Sequence, residues 1–384
     1  GFSGPLPDLS QMKLEGSFSD SLLAPEFDLV LESPWGQAEL LGSMHVEKEL
    51  FDLAYAMHGI DLGELLSVTE LGAFTGAGEI KGAGFSVDKL QASFYMQVDT
   101  LDFKDYPYGE LQLTGAVRPG IYELQMVARD SFLEGDMQVE MELRDSALIL
   151  QTAGRLKAQL DQLHLYADTL SVQTHFHASL TDDGQVLETE VRGSDIRVRS
   201  PQHTAEIQQL NAFLQTDSLS SRLRADADFF DAELYVIMPF DELDTLGKGY
   251  RNYFGSFSKA SHLTAASRLS ALPEIHGTAS VSYHEILDVF LGDSGFFFTD
   301  IQGSIHKQST ENSLRTYLTG NQLSYKFIET ERIVAEVIDS AGILYLDLLA
   351  DSTSLASGPH NRLKINANAS NRNMLAKLYA DDYG

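Results

Sequence analysis

Residues 133 to 143, LEGDMQVEMEL, alternate without a fault. Leu133, Gly135, Met137, Val139, Met141 and Leu143 fall on one side of an extended chain; Glu134, Asp136, Gln138, Glu140 and Glu142 fall on the other. A strand with one face toward apolar matter and one toward water reads this way. The same period predicts strands at 12–18, 26–32, 38–45 and 51–58, separated by turn-prone DSLLAP and SPWG. Leu90, Ala92, Phe94, Met96 and Val98 share a face, and beyond Thr100 the parity changes to Leu101 and Phe103, as a bulge or a break in the strand would produce. Further strands are expected at 109–117, 122–128, 133–143, 147–152, 155–166, 171–180 and 185–199. The final section predicts strands at 295–298, 303–306, 314–321, 323–328, 332–339, 342–349, 353–357 and 362–369.

Helical signals are few. Asp61 is placed to cap 62–66, with Glu64 at the third helical position. Asp241 starts a stripe of Leu243, Leu246, Tyr250, Tyr253 and Phe254, and YHEILDVFLGD sets Ile286, Leu287, Val289 and Phe290 toward a core. These define expected helical junctions near 60–67, 241–255 and 283–292 in an otherwise continuous β-rich segment covering 1–384, with no linker that marks a domain boundary. AEIQQLNAFL reads as a short helix or as the approach to a strand, RADADFFDAELYVIM as a strand with both faces becoming apolar, and the terminal NRNMLAKLYADDYG as a short helix or a tail.

Stacked at about 4.8 Å, roughly 15 to 20 strands make a sheet on the order of 70 to 95 Å across whose apolar face needs cover. The expected fold is mostly β: an elongated, curled antiparallel or mixed sheet forming an apolar groove, with a few short helices. Tandem β-sandwiches produce the same local alternation and stay open as the alternative. Phe94, Met96, Val98, Tyr122, Leu124, Met126, Met137, Val139, Met141, Leu163, Leu165, Val172 and Phe176 are the candidate groove-lining residues, or else ordinary sandwich core.

Charge narrows the partners. Against 27 Lys and Arg stand 56 Asp and Glu, a formal net charge of -29, which opposes a nucleic-acid backbone; no nucleic acid is expected as a partner. Without cysteine there is no disulfide or thiolate chemistry. The start GFSGPLPDLS has neither a basic n-region nor an apolar h-region and lacks a methionine, so the chain reads as a mature protein or an internal piece of a longer one.

Catalytic and metal signals are weak. GAGEIKGAG (76–84) lacks the G-x-G-x-x-G spacing and leads into a strand. GDSG (292–295) follows a helix and has no His and Asp context for a protease. His175 and His177 share a strand face but do not complete a zinc site, and the carboxylates at Asp226, Asp228, Asp231, Asp381 and Asp382 lack the spacing of a calcium loop. NAS (368–370) is a glycosylation pattern only in a eukaryotic secretory route. No enzyme, metal or cofactor is expected.

The stretch 61–130 reads DLGELLSVTELGAFTGAGEIKGAGFSVDKLQASFYMQVDTLDFKDYPYGELQLTGAVRPGIYELQMVARD. Its glycine-alternating opening from Leu71 to Gly84, the strand leading into LDFKDYPYGEL and the short turn before IYELQMVARD resemble the TamB-like envelope proteins of the AsmA-like superfamily of lipid-transfer bridges, in their Bacteroidota form. FFDAELYVIMPFDELDTLGKGYRNYFGSF and LPEIHGTASVSYHEILDVFLGDSGFFFTDIQGSI are similar to that family's alternation of sheet and helix. The resemblance implies an internal piece of a periplasmic bridge anchored in the inner membrane through a part outside this chain. It further implies phospholipid carried along an apolar groove, and engagement of an outer-membrane barrel assembly protein of the TamA or BamA type, with a role in outer-membrane protein assembly. An acidic β-sandwich scaffold or binding module of the cell envelope is the alternative from the residues themselves, with a carbohydrate-processing protein a distant third.

Overall fold

In the computed structural model, described residues run from 12 to 382, excepting 20, 87, 145, 244, 247, 250–268, 270–271, 292–295, 309–312, 327, 341–342, 356–360 and 371–372. Among the described residues the chain is mostly β, built as antiparallel sheet with a few short helical segments. It divides into two units, the first comprising Gly1–Leu180 with Asp195–Pro201, the second Thr181–Ser194 with Gln202–Gly384.

The first unit is a meander: β1 (Lys13–Ser19), β2 (Glu26–Ser33), β3 (Gly36–His45), β4 (Leu50–Asp61), β5 (Leu71–Ala83), β6 (Gln91–Phe103), β7 (Tyr106–Arg118), β8 (Ile121–Arg129), β9 (Leu133–Arg144) and β10 (Ala147–Gln159). Each strand pairs antiparallel with the next. Between β4 and β5 lies α1 (Leu62–Leu66), where Asp61 Oδ1 accepts the Glu64 N–H at 2.9 Å as the capping signal predicts. The parity change expected beyond Thr100 is a real slip. Gly76 faces Val98, but Thr75 faces Thr100, so β6 carries one extra residue against β5.

Strands β11 (Ser171–Asp182) and β12 (Leu187–Arg199) run across the division between the units. The second unit continues with β13 (Thr204–Thr216), β14 (Ser221–Ala227), β15 (Phe230–Val236), β16 (Ile275–Ser282), α2 (Glu285–Leu291), β17 (Phe296–Phe297), β18 (Asp300–Gln308), β19 (Ser313–Tyr325), β20 (Ile328–Ser340), β21 (Ile343–Leu355), β22 (Asn361–Ser370) and β23 (Asn373–Asp382). β16 pairs with β18 past the α2 excursion, while β17 pairs with β19.

Several boundaries differ from expectation. The strands predicted at 147–152 and 155–166 are a single β10 ending at Gln159, because the apolar parity Leu148, Leu150, Thr152, Gly154, Leu156, Ala158 continues without a break. The chain then turns, with Leu163 N–H donating to Gln159 O and Leu160 N–H to Leu170 O. AEIQQLNAFL is strand, within β13. RADADFFDAELYVIM is a hairpin, β14 and β15 with Ala227 opposite Phe230, which explains two apolar faces in one run. The C-terminal stretch is neither helix nor tail, since β23 pairs with β22 from Asn373 to Asp382. Leu243, Thr245, Leu246, Lys248 and Gly249 are helical as predicted; 250–255 and the GDSG at 292–295 lie outside the described residues.

Candidate functional site

Register turns the alternation of single strands into a continuous surface. In the first unit one row crosses all ten strands: Gly16, Leu29, Leu40, Tyr55, Gly78, Met96, Leu113, Met126, Met137, Gly154. The row beside it reads Phe18, Phe27, Gly42, Leu53, Ile80, Phe94, Gly115, Leu124, Val139, Thr152. Ten strands place the ends of such a row about 43 Å apart at 4.8 Å spacing. Six of the nine methionines, Met44, Met57, Met96, Met126, Met137 and Met141, belong to this face.

Large residues and glycines interleave across it. A Cβ on Gly78 would lie 2.6 Å from Tyr55 Oη, and one on Gly115 would lie 2.5 Å from Phe94 Cζ. The rings therefore lie down over the neighbouring strand instead of standing up from the sheet, which leaves a low, smooth lining. Any residue with a side chain at those glycines would push the ring away.

The two margins of this face differ. Where β6 ends and β7 begins, Phe74, Val98, Tyr108, Leu111, Ala128, Ala158 and Leu163 form a closed cluster, covered by Leu62 of α1, Phe132 and Leu160. In the middle rows Met96, Leu113, Met126 and Met137 are half-buried. At the opposite margin Phe85 and Leu143 are 46% and 47% exposed. Burial thus falls from one margin to the other across a face that is closed only along its covered side.

The covered margin is held by Asp130. Its Oδ1 accepts Tyr106 Oη at 2.6 Å and the Phe132 N–H at 2.9 Å, and its Oδ2 accepts the Gly109 N–H at 3.1 Å. Tyr108 Oη donates to Leu163 O at 3.5 Å, and His164 Nδ1 lies 3.0 Å from Lys104 O, so the 160–170 segment is tied across the strand ends. Burial, and then the bond to Asp130, raises the Tyr106 hydroxyl pKa above its ordinary 10.0. An acid with a raised folded pKa contributes stability that is complete below the unfolded value and is lost as pH climbs through the folded one. Alkaline titration followed by amide exchange in 160–170 is expected to show this margin loosening above about pH 10, and Tyr106→Phe to abolish that part of the pH dependence.

The predicted lining residues divide accordingly. Phe94, Met96, Tyr122, Leu124, Met126, Met137, Val139 and Met141 share the apolar face in register. Phe176 is on it too, its ring 3.1 Å from where a Cβ of Gly154 would stand, and Val172 shares its strand parity. Val98 is on this face but inside the closed cluster, 2% exposed. Leu163 and Leu165 are not strand residues: Leu163 plugs the cluster at 1% exposure, while Leu165 is 45% exposed in the turn. Leu163 and Leu165 are off the parity of Leu156 and Ala158, and the strand ends at Gln159 before reaching them.

The second unit repeats the design with smaller residues, which inspection of single strands had not singled out. Its row runs Leu214, Leu223, Leu234, Gly277, Ile305, Thr316, Val337, Leu346, Ala367, Ala376. One margin is covered by Leu246, Leu269 and Leu272 packed on Ile275 and Leu314. Lys307 and Asp339 flank Leu314 on this same face, both essentially buried. Burial lowers the Lys307 ammonium pKa from its ordinary range, and Glu274 partly offsets that.

The opposite, polar face of the first unit carries exposed cross-strand ion pairs such as Lys157 with Glu134 at 3.5 Å, each worth no more than about 1 kcal/mol. A concavity of about 620 Å³ opens on it, lined by Thr114, Glu123, Gln125, Gln138, Glu140, Gln151 and His177 among others. Among the described residues no group of three or more His, Cys, Asp or Glu is arranged to hold a metal ion, and no helix is long and apolar enough to cross a membrane. No protein-family model and no curated protein matches the sequence.

Proposed function

We propose that the chain is a non-enzymatic segment of a lipid-transfer bridge in the bacterial periplasm, and that phospholipid acyl chains travel on its apolar face. The anchor in the inner membrane and the contact with an outer-membrane barrel assembly protein of the TamA or BamA type belong to parts outside this chain, as does any role in outer-membrane protein assembly. The observation that carries the reading is the uninterrupted ten-strand apolar face of the first unit, half-exposed in its middle rows and open along one margin. A bare surface of that extent is rare on a soluble monomer unless something occupies it. Each methylene that leaves water for it gains about 0.8 kcal/mol. Interleaved rings, glycines and flexible methionines provide no deep pocket, so a tail is retained without a single stopping place.

Organic extraction of the detergent-free protein, followed by mass spectrometry beside an equally acidic soluble β protein, tests this. Stoichiometric phospholipid above the control is the expected result; no enrichment after incubation with phospholipid vesicles would overturn it. The second reading, an acidic scaffold that binds a polar ligand or a protein, is favoured by the 620 Å³ concavity, which lies among amides and carboxylates on the other face. Lipid-free protein would move the assignment there.

A further inference from the structure

On the polar face of the second unit, His276 of β16 stands directly opposite His306 of β18. Their Nδ1 atoms are 2.9 Å apart and the ring planes are nearly perpendicular, at 87°. At that distance one ring donates its Nδ1–H to the other's Nδ1 lone pair. The flanking arginines are engaged elsewhere, Arg222 with Glu233 at 2.5 Å and Arg315 with Glu336 at 3.6 Å. Tyr235 completes the row beside His276 and is 40% exposed, so the pair is reachable from solvent.

We infer that His276 and His306 form a two-imidazole site for copper(II), the ion lying to one side of the line between the two Nδ1 atoms once the hydrogen bond along that line is given up. With metal–nitrogen bonds of about 2.0 Å, nitrogens 2.9 Å apart subtend an angle of about 93°. That is the cis angle of a square-planar or tetragonal ion, whereas a tetrahedral zinc centre needs nitrogens about 3.3 Å apart. The order of divalent affinities points the same way, since copper(II) binds imidazole most strongly of the first-row series. Water fills the remaining positions. Both rings present a bare Nδ1 to the ion, so the proton that the donating ring carries at Nδ1 leaves it for that ring's Nε2 or for solvent. Both strands supply the ligands from regular backbone, which holds the nitrogens close before the ion arrives.

Copper(II) titrated into the intact chain, followed by electron paramagnetic resonance and by competition with a chelator of known affinity, provides the test. One equivalent with a two-nitrogen tetragonal spectrum is expected, weakened at least about tenfold by either His276→Ala or His306→Gln and untouched by His175→Ala. Zinc is expected to bind less tightly than copper at the same pair. Equal copper affinity in the wild type and both variants, or loss of the signal only in His175→Ala, would overturn the assignment. Because both rings stand on the outward face, circular dichroism of the variants is expected to match the wild type.

Discussion

Leu124→Asp is expected to strip the protein of co-purifying phospholipid by more than about tenfold, while Gln125→Asp leaves it unchanged. The two residues are neighbours in β8 but project to opposite faces: Leu124 lies between Gly115 and Val139 in the apolar row, Gln125 between Thr114 and Gln138 on the polar side. A carboxylate in the lining must shed water whenever an acyl chain lies over it, and that cost recurs for every tail that passes. Leu124 is half-buried, not enclosed, so an unoccupied face keeps the new charge hydrated and the sheet intact. Extracted lipid is quantified against protein for both variants, with urea melts alongside. Equal lipid in the two would mean that the apolar face is not where lipid sits.

Asp130→Ala is expected to cost about 3 kcal/mol, felt first at the covered margin of the first unit. One carboxylate accepts from Tyr106 Oη and from the backbone of Gly109 and Phe132, so its removal leaves three donors without a partner. The cluster above them, with Val98 and Leu163 at 2% and 1% exposure, depends on those strand ends staying together. Amide exchange is expected to accelerate at Gly109, Phe132 and 160–170 well before the middle of β8 and β9 responds. Asp130→Asn, which keeps one acceptor oxygen, should recover part of the protection. A melt within about 0.5 kcal/mol of wild type with unchanged exchange would show that packing alone holds this margin.

Strand identity was legible wherever a single parity ran its course: the run from Leu133 to Leu143 is β9, and the slip after Thr100 appears as an extra residue in β6. What escaped was decided by partners far away in the chain. Leu160, Leu163 and Leu165 follow β10 as further apolar residues, yet the chain turns after Gln159 and Leu163 packs beside Tyr108, 55 residues away in sequence. NMLAKLYADD combines good helix formers, but pairing with β22 outweighs propensities of a few tenths of a kcal/mol per residue. The facing of His276 and His306 has no local signal, because α2 and β17 intervene between their strands and only register brings the rings together. That alternate apolar residues share one face was accessible from parity, while the covered and open margins of that face required the fold.

β5 carries four glycines, Gly72, Gly76, Gly78 and Gly82, among its thirteen residues, and the last two lie beneath rings anchored on β4. A strand so poor in side chains resists bending least, and the rings that cross it are fastened on one side only. Mechanically it is a crease: a line along which the sheet can flex so that its two flanks tilt while every backbone hydrogen bond is kept. A sheet creased this way can change the curvature of its apolar face along a seam within the first unit.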